Sequence, residues 1–259
     1  MKPVIFFDVD GTLVDPVVNR IPESALNSIR DLRARGYLCC VATGRGYENL
    51  KTNVAFRAIE WDGYICCNGQ EVLRADGSYV FQEVYSEKTI LKVLDIAKEN
   101  GHLLSMLTTT EWLLVDEPNE YAKISFSFLH EPIPEISTYK GQTLLSFLVF
   151  GPKGYDYAPY KAIEEVQALP SNTCYADLVL KSASKAKGID KFLAEVNGEG
   201  YIAFGDSMND YEMLKHADVA IAMGQGAEAL KQIADFVTKA VDDDGIAYAC
   251  NNLDILRLK

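Results

Sequence analysis

No apolar run in the 259 residues reaches the roughly 18 that a membrane-spanning helix needs, so no membrane partner is expected. Basic residues are also few. The 25 Lys and Arg stand against 37 Asp and Glu, a formal net charge of −12. Neutralising nucleic-acid phosphates takes a basic stripe, so a nucleic-acid partner is not expected either. Internal repeats, low-complexity tracts and long linkers are missing. No C-x-x-C spacing occurs among the six cysteines, Cys39, Cys40, Cys66, Cys67, Cys174 and Cys250. Four of them form two adjacent pairs inside apolar runs, and adjacent cysteines rarely bridge. Reduced, buried thiols in a cytoplasmic protein are expected, and a zinc site is not. The opening Met1-Lys2-Pro3 leads straight into an apolar run, with no secretory signal ahead of it.

What is present is enough apolar material for a real core. The chain is 48% hydrophobic and long enough for one large domain or two modest ones. Its organising stretch is Val4-Ile5-Phe6-Phe7-Asp8-Val9-Asp10-Gly11-Thr12-Leu13. Four continuous apolar residues fit a central parallel strand covered on both faces. Two acids follow at its end, and Gly11 allows a sharp turn. The carboxyl ends of strands are where open α/β sheets bind ligands. Two acids held there repel each other, and a divalent cation is the simplest compensation.

A strand, helix, strand, helix, strand rhythm continues from there. Ala25, Leu26, Ile29 and Leu32 form the apolar face of a helix capped near Gly36. Tyr37–Ala42 is a second buried strand, ending in Thr43-Gly44-Arg45. A helix with Tyr47, Leu50 and Val54 among its apolar positions follows. Tyr64–Cys67 is a third strand, ending in Asn68-Gly69. A hairpin about Asp76-Gly77 then breaks the pattern. Residues 84–182 differ in character: a helix at 89–99, strands at 102–108, 111–115, 143–150 and 173–180, and a helix over 160–169. The α/β rhythm returns with a helix at Ile189–Val196. A buried strand at Tyr201–Phe204 runs into Gly205-Asp206-Ser207-Met208-Asn209-Asp210. The expected fold is α/β: a Rossmann-like parallel-sheet core, residues 1–83 and 183–259, with an α+β cap, 84–182, inserted into it.

Four groups fall at or near strand ends: Asp8 with Asp10, Thr43-Gly44, a lysine before Gly188, and the stretch from Gly205 to Asp210. Together they suit phosphoryl transfer. A carboxylate can attack phosphorus, and a second acid can protonate the leaving oxygen and later deprotonate water. A hydroxyl and backbone N–H groups can hold phosphoryl oxygens. Mg²⁺ wants hard oxygen ligands, which Asp8 and Asp206 could supply. The lysine is the least defined member, because Lys181, Lys185 and Lys191 compete with Lys187 on chemistry alone.

Asp8-Val9-Asp10-Gly11-Thr12, Thr43-Gly44-Arg45, Lys187-Gly188 and Gly205-Asp206-Ser207-Met208-Asn209-Asp210 resemble the four motifs of the haloacid dehalogenase superfamily. The Gly-Asp-Ser-x-Asn-Asp form and the long insertion resemble its Cof-like sugar-phosphate phosphatases. The resemblance implies that Asp8 is the nucleophile and a Mg²⁺ ligand. It implies that Asp10 is the general acid/base, with its carbonyl on the metal, and that Asp206 is the second metal carboxylate. Gly11, Thr43, Gly44, Arg45, Lys187 and Asn209 would bind the phosphoryl group or substrate. Ser207 and Asp210 would support them, Asp210 by holding Lys187 or a metal-bound water. The lysine is set at 187 chiefly by the helix start Gly188-Ile189-Asp190. The cap would contact the leaving group, with Trp112, Tyr121, Tyr175 and Asp177 as candidate side chains. The implied activity is Mg²⁺-dependent hydrolysis of small phosphate monoesters by a cytoplasmic monomer or weak homo-oligomer. The rivals are a phosphomutase or other phosphotransferase and a non-catalytic phosphate-binding regulator.

Overall fold

The computed structural model describes residues 4–52, 56–171 and 173–252; Val54 and the Met1-Lys2-Pro3 opening lie outside them. Chain contacts divide the protein into two compact units, Met1–Gln82 with Ser184–Lys259, and Glu83–Ala183. In chain order the first unit begins with β1 (Val4–Phe7), α1 (Glu23–Ala34), β2 (Leu38–Ala42), α2 (Tyr47–Thr52), β3 (Gly63–Cys66), β4 (Glu71–Arg74) and β5 (Tyr79–Gln82). The inserted unit contains α3 (Glu87–Asn100), β6 (Leu103–Thr108), β7 (Trp112–Leu114), α4 (Glu120–Phe128), β8 (Glu135–Ile136), β9 (Leu144–Phe150), β10 (Val166–Pro170) and β11 (Tyr175–Leu180). The first unit resumes with α5 (Lys185–Val196), β12 (Tyr201–Gly205), α6 (Tyr211–His216), β13 (Val219–Ala222), α7 (Glu228–Ile233), β14 (Phe236–Val237) and α8 (Gly245–Asn251).

The first unit is built on one sheet in the order β14-β13-β12-β1-β2-β3-β4-β5. The pairings from β14 to β3 are parallel, and β4 and β5 continue the edge antiparallel. The hairpin about Asp76-Gly77 therefore extends this sheet and does not leave it. β1 sits where the strand order reverses, with β2 on one side and β12 on the other, which opens the crevice that open α/β sheets use. Its uninterrupted apolar run is needed because both faces are buried. Ile5 and Phe7 pack with Cys39 and Val41 in one core, while Val4 and Phe6 pack with Cys40 and Ala42 in the other. Alternation puts Cys39 and Cys40 on opposite faces, and none of the six cysteines is in a disulfide.

The inserted unit has its own sheet, ordered β10-β11-β9-β6-β7-β8, with a separate core about Phe147, Val149 and Leu178. Two local expectations fail in this unit. The stretch 160–169 is not a helix: a short 3-10 turn at Ala158–Ala162 leads into β10. Antiparallel pairing with β11, Val166 opposite Leu180, overrides the local helical pattern, and Pro170 is tolerated because β10 is an edge strand. Helix α4 was not anticipated between its flanking prolines. Asn119 starts it, its side chain accepting a hydrogen bond from the Ala122 N–H at 2.9 Å. In the first unit α5 begins four residues earlier than expected, which matters for the site. Among the described residues no helix is long and apolar enough to cross a membrane.

His102 gives the inserted unit a pH dependence. Its ring stacks on Tyr160 at 5.7 Å and meets Tyr155 edge-on, and Nδ1 lies 3.2 Å from the Tyr160 hydroxyl. Burial holds the imidazole below its ordinary value of 6.5. The folded chain then binds this proton less readily than the unfolded chain, so stability falls as pH drops below 6.5. His102→Gln should flatten the fall of Tm between the ordinary histidine value and about pH 5. An unchanged slope would contradict this.

Candidate active site

The parallel strands deliver their chemistry to one edge. Asp8, Thr43 and Asp206 directly follow β1, β2 and β12, and Asn68 lies two residues beyond β3. After Asp8 the chain makes a tight turn, the N–H groups of Leu13 and Val14 donating to the Val9 carbonyl at 3.0 and 2.8 Å. Gly11 lies in this turn at φ +93°, a conformation that favours glycine. A Cβ there would also collide with the Asp206 carboxylate, 2.8 Å from its Cγ. Glycine is thus what lets the second acidic motif approach the first. Gln225, in the loop after β13, braces the same turn by donating to the Gly11 carbonyl while its own oxygen accepts from Val241 N at 3.2 Å.

The buried centre is a lysine between two carboxylates, and that lysine is Lys185. Its Nζ lies 2.6 Å from Asp8 Oδ1 and 2.6 Å from Asp210 Oδ1. Asp8, Lys185 and Asp210 are 4%, 1% and 0% exposed. Lys187, expected in this role, is exposed, and the two bonds are made by Lys185. The helix period explains the correction. Lys185, Ile189 and Phe192 share the buried face of α5, whereas Lys187 shares the other face with Asp190. Ser184 caps the helix by accepting from the Lys187 N–H at 3.2 Å, so Lys187 contributes its backbone to the helix start. An N-terminus set at Ile189 hid this pattern; continuing the apolar period backwards would have selected Lys185.

Burial raises the Asp8 carboxyl above its ordinary value, and Asp210 adds to the rise; Lys185 opposes it. Burial by itself would lower the Lys185 ammonium, but Asp210 and Asp8 outweigh it and hold it protonated. Asp206 is likewise raised, by burial first and then by Asp8 and Asp210. Asp210 has both oxygens committed. Oδ1 takes Lys185, and Oδ2 accepts the N–H groups of Asp206 and Ser207 at 3.0 and 3.1 Å. It therefore fixes the loop and the lysine together.

Three carboxylates, Asp8, Asp206 and Asp210, place ligand atoms within 4.8 Å of one another. Because Asp210 is spent, Asp8 and Asp206 are the better pair for a cation. Asp206 Oδ1 is buried with no hydrogen-bond partner, a costly state for a carboxylate oxygen that an ion would relieve. The donor set is all oxygen, which fits a hard cation such as Mg²⁺ and disfavours zinc.

Thr43 is buried and its Oγ1 accepts the Arg45 N–H at 3.1 Å, which leaves its own O–H to donate. Gly44 lies against Asn68, whose Nδ2 would stand 3.2 Å from a Cβ there. Asn209 is oriented by a chain of bonds: Ser207 Oγ donates to its Oδ1 at 2.6 Å, and its Nδ2 donates to Asn68 Oδ1 at 3.2 Å. Asn68, in a left-handed conformation at φ 51°, was not assigned a role from the sequence; its place at a strand end was the available signal. Arg45, expected among the phosphate-binding groups, is paired with Asp10. Of the inserted-unit candidates, Trp112, Tyr121 and Tyr175 pack on the cluster containing Leu103, Phe126 and Phe150, and Asp177 lies opposite Leu148 and Leu169.

Lys185→Met removes the ammonium set between Asp8 and Asp210 and leaves two buried acids facing each other. Breaking a buried ion pair costs about 3–5 kcal/mol, so unfolding should shift by that order and phosphatase activity should be lost. Lys187→Ala should leave both within about 0.5 kcal/mol and a few-fold of the parent, as exposed substitutions do. Denaturant unfolding and steady-state assays of the two variants decide it; the reverse ranking would restore the lysine to position 187.

Comparison with known proteins came to the same family. The family model described as haloacid dehalogenase-like hydrolase matches residues 5–250. The protein YkrA of Bacillus subtilis (strain 168) is 32% identical, with 98% of each chain covered. The 5-amino-6-(5-phospho-D-ribitylamino)uracil phosphatase YitU of the same organism is 27% identical over 95% of this chain and 96% of that one. Among solved structures, the HAD subclass IIB sugar phosphatase BT4131 superposes with a TM-score of 0.86 at 27% identity, covering 98% of this chain and 100% of the other. On its sheet, its strand-end motifs and these matches, the chain belongs to the haloacid dehalogenase-like hydrolases, in their Cof-like branch.

Proposed function

We propose that this protein is a phosphoric monoester hydrolase that uses Mg²⁺ and acts on small phosphate esters, sugar phosphates among them. The observation that carries the reading is Asp8: a nearly buried carboxylate at a strand end, with one oxygen neutralised by Lys185. The other oxygen, Oδ2, has no protein donor among the described residues and is the one available for attack. In the first step an Asp8 oxygen bonds to phosphorus, the bond from phosphorus to the leaving oxygen breaks, and Asp10 gives that oxygen a proton. In the second, Asp10 takes a proton from water as the water oxygen bonds to phosphorus, releasing phosphate and regenerating the Asp8 carboxylate. The Thr43 hydroxyl and Gly44 N–H hold phosphoryl oxygens, Lys185 offsets charge at Asp8, and Asn209 is oriented to contact the phosphoryl group or substrate. Asp8, Asp206 and the Asp10 carbonyl would hold the cation, which when bound offsets the charge of the phosphoryl oxygens beside Asp8.

The acid at Asp10 favours ester cleavage, since an alkoxide needs a proton to leave. The substrate class is supported by YitU, named for a ribitylamino phosphate, and by BT4131, named a sugar phosphatase. The test is phosphate release across a panel of hexose, pentose and polyol phosphates with Mg²⁺. Turnover of several members is expected, with loss on exhaustive EDTA treatment and recovery on adding Mg²⁺ back. Full activity after metal removal would contradict the cation assignment, and inertness towards the whole panel would contradict the substrate class.

A further inference from the structure

Arg45 and Asp10 form a doubly bonded charged pair beside the site. Arg45 Nη2 lies 2.7 Å from Asp10 Oδ1, and Nε lies 2.9 Å from Asp10 Oδ2. This is the two-pronged geometry that fixes a carboxylate plane as well as its position. The third corner of the guanidinium is tied down too, with Nη1 donating to Asn49 Oδ1 at 3.2 Å on the first turns of α2. The Arg45 side chain is 9% exposed, whereas that of Asp10 is 38% exposed. The arginine is therefore part of the framework, and the carboxyl group it holds remains open to whatever enters.

The backbone supports the same arrangement. Arg45 N donates to Thr43 Oγ1, and its carbonyl accepts the Cys67 N–H at 2.9 Å, so the arginine springs from a loop pinned to both β2 and β3. Asp10, by contrast, lies in the turn after β1, where its side chain has no other charged holder among the described residues. A carboxyl group on such a turn has free χ1 and χ2 torsions, and proton transfer needs it within hydrogen-bond reach of the leaving oxygen.

We infer that Arg45 is a positioning residue for Asp10: it orients the carboxyl group that exchanges a proton with the leaving oxygen, and it is not itself a phosphoryl-binding group. The inference rests on the phosphatase reading above. It separates from a phosphate-binding role by its dependence on the leaving group. A nitrophenolate departs without a proton, while a sugar alkoxide does not. Loss of Asp10 alignment should therefore harm the second kind of ester selectively, and loss of a phosphate ligand should harm both alike.

The experiment compares kcat for glucose 6-phosphate and for p-nitrophenyl phosphate in the wild type, Arg45→Met, Arg45→Lys and Asp10→Asn. General acid catalysis is worth about 10²–10⁴-fold, so Arg45→Met should lose on the order of 100-fold with glucose 6-phosphate and less than about 10-fold with p-nitrophenyl phosphate. Arg45→Lys keeps the charge but not the fork, and should show the same selective loss in smaller measure. The double variant Arg45→Met/Asp10→Asn should be no worse than Asp10→Asn, because the two act as one unit. Circular dichroism and Tm check that each variant folds. Equal losses on both esters, or additive losses in the double variant, would overturn the assignment. A wild-type protein inert towards both esters would instead overturn the phosphatase reading and this inference with it.

Discussion

A single ammonium group, Lys185 Nζ, sets the terms for the rest of the site. It sits 2.6 Å from an oxygen of Asp8 and 2.6 Å from an oxygen of Asp210, inside the protein. Burying three charges is not an economical route to stability, since desolvation offsets most of what the pairs return. Three charges stay there because the arrangement keeps a carboxylate at a strand end both desolvated and partly neutralised. In the proposed reaction, desolvation makes Asp8 a more responsive nucleophile, and the lysine keeps the approach of a phosphate dianion from being prohibitive.

The surrounding structure follows from holding that group in place. Asp210 must reach Lys185 with one oxygen and cap its own loop with the other, so the loop after β12 cannot move independently of α5. Asp206 then comes so close to the turn after β1 that only glycine fits at position 11. Asn209 is turned by Ser207 towards Asn68, which links the ends of β12 and β3. The parallel order β3-β2-β1-β12-β13 is what makes these contacts possible, because it brings strand ends distant in sequence to one edge.

Much of this was legible in the sequence, for a physical reason. A strand buried on both faces has to be continuously apolar, so Val4–Phe7 and Tyr201–Phe204 stand out, and the acids that end them are conspicuous. Asp8, Thr43, Gly44 and Asp206 were expected just past strand ends in that way, and they lie there. The lysine was not, because a helix start is a weaker signal than a strand end. Capping by Ser184 admits the helix four residues earlier than the Gly188-Ile189 pattern suggests, and the shift exchanges Lys187 for Lys185. The strand β10 was not legible because Val166–Leu169 continues a local helical pattern and takes strand form only from pairing with β11. Helix α4 was not legible because the prolines on either side break the local pattern, while the helix depends on Asn119 as its cap. The partner of Arg45 could not be read at all, since the pairing of residues 10 and 45 depends on tertiary placement.

The central claim is that Asp8 becomes covalently phosphorylated, and trapping tests it most directly. The wild-type protein is mixed with an excess of a phosphate ester and Mg²⁺, quenched in acid during turnover, and reduced with borohydride. An acyl phosphate on aspartate is converted to homoserine, which mass spectrometry of the peptide spanning residues 4–20 would locate. The account predicts homoserine at position 8 and at no other carboxylate. Turnover with position 8 unmodified, or with the mark at Asp10 or Asp206, would contradict it.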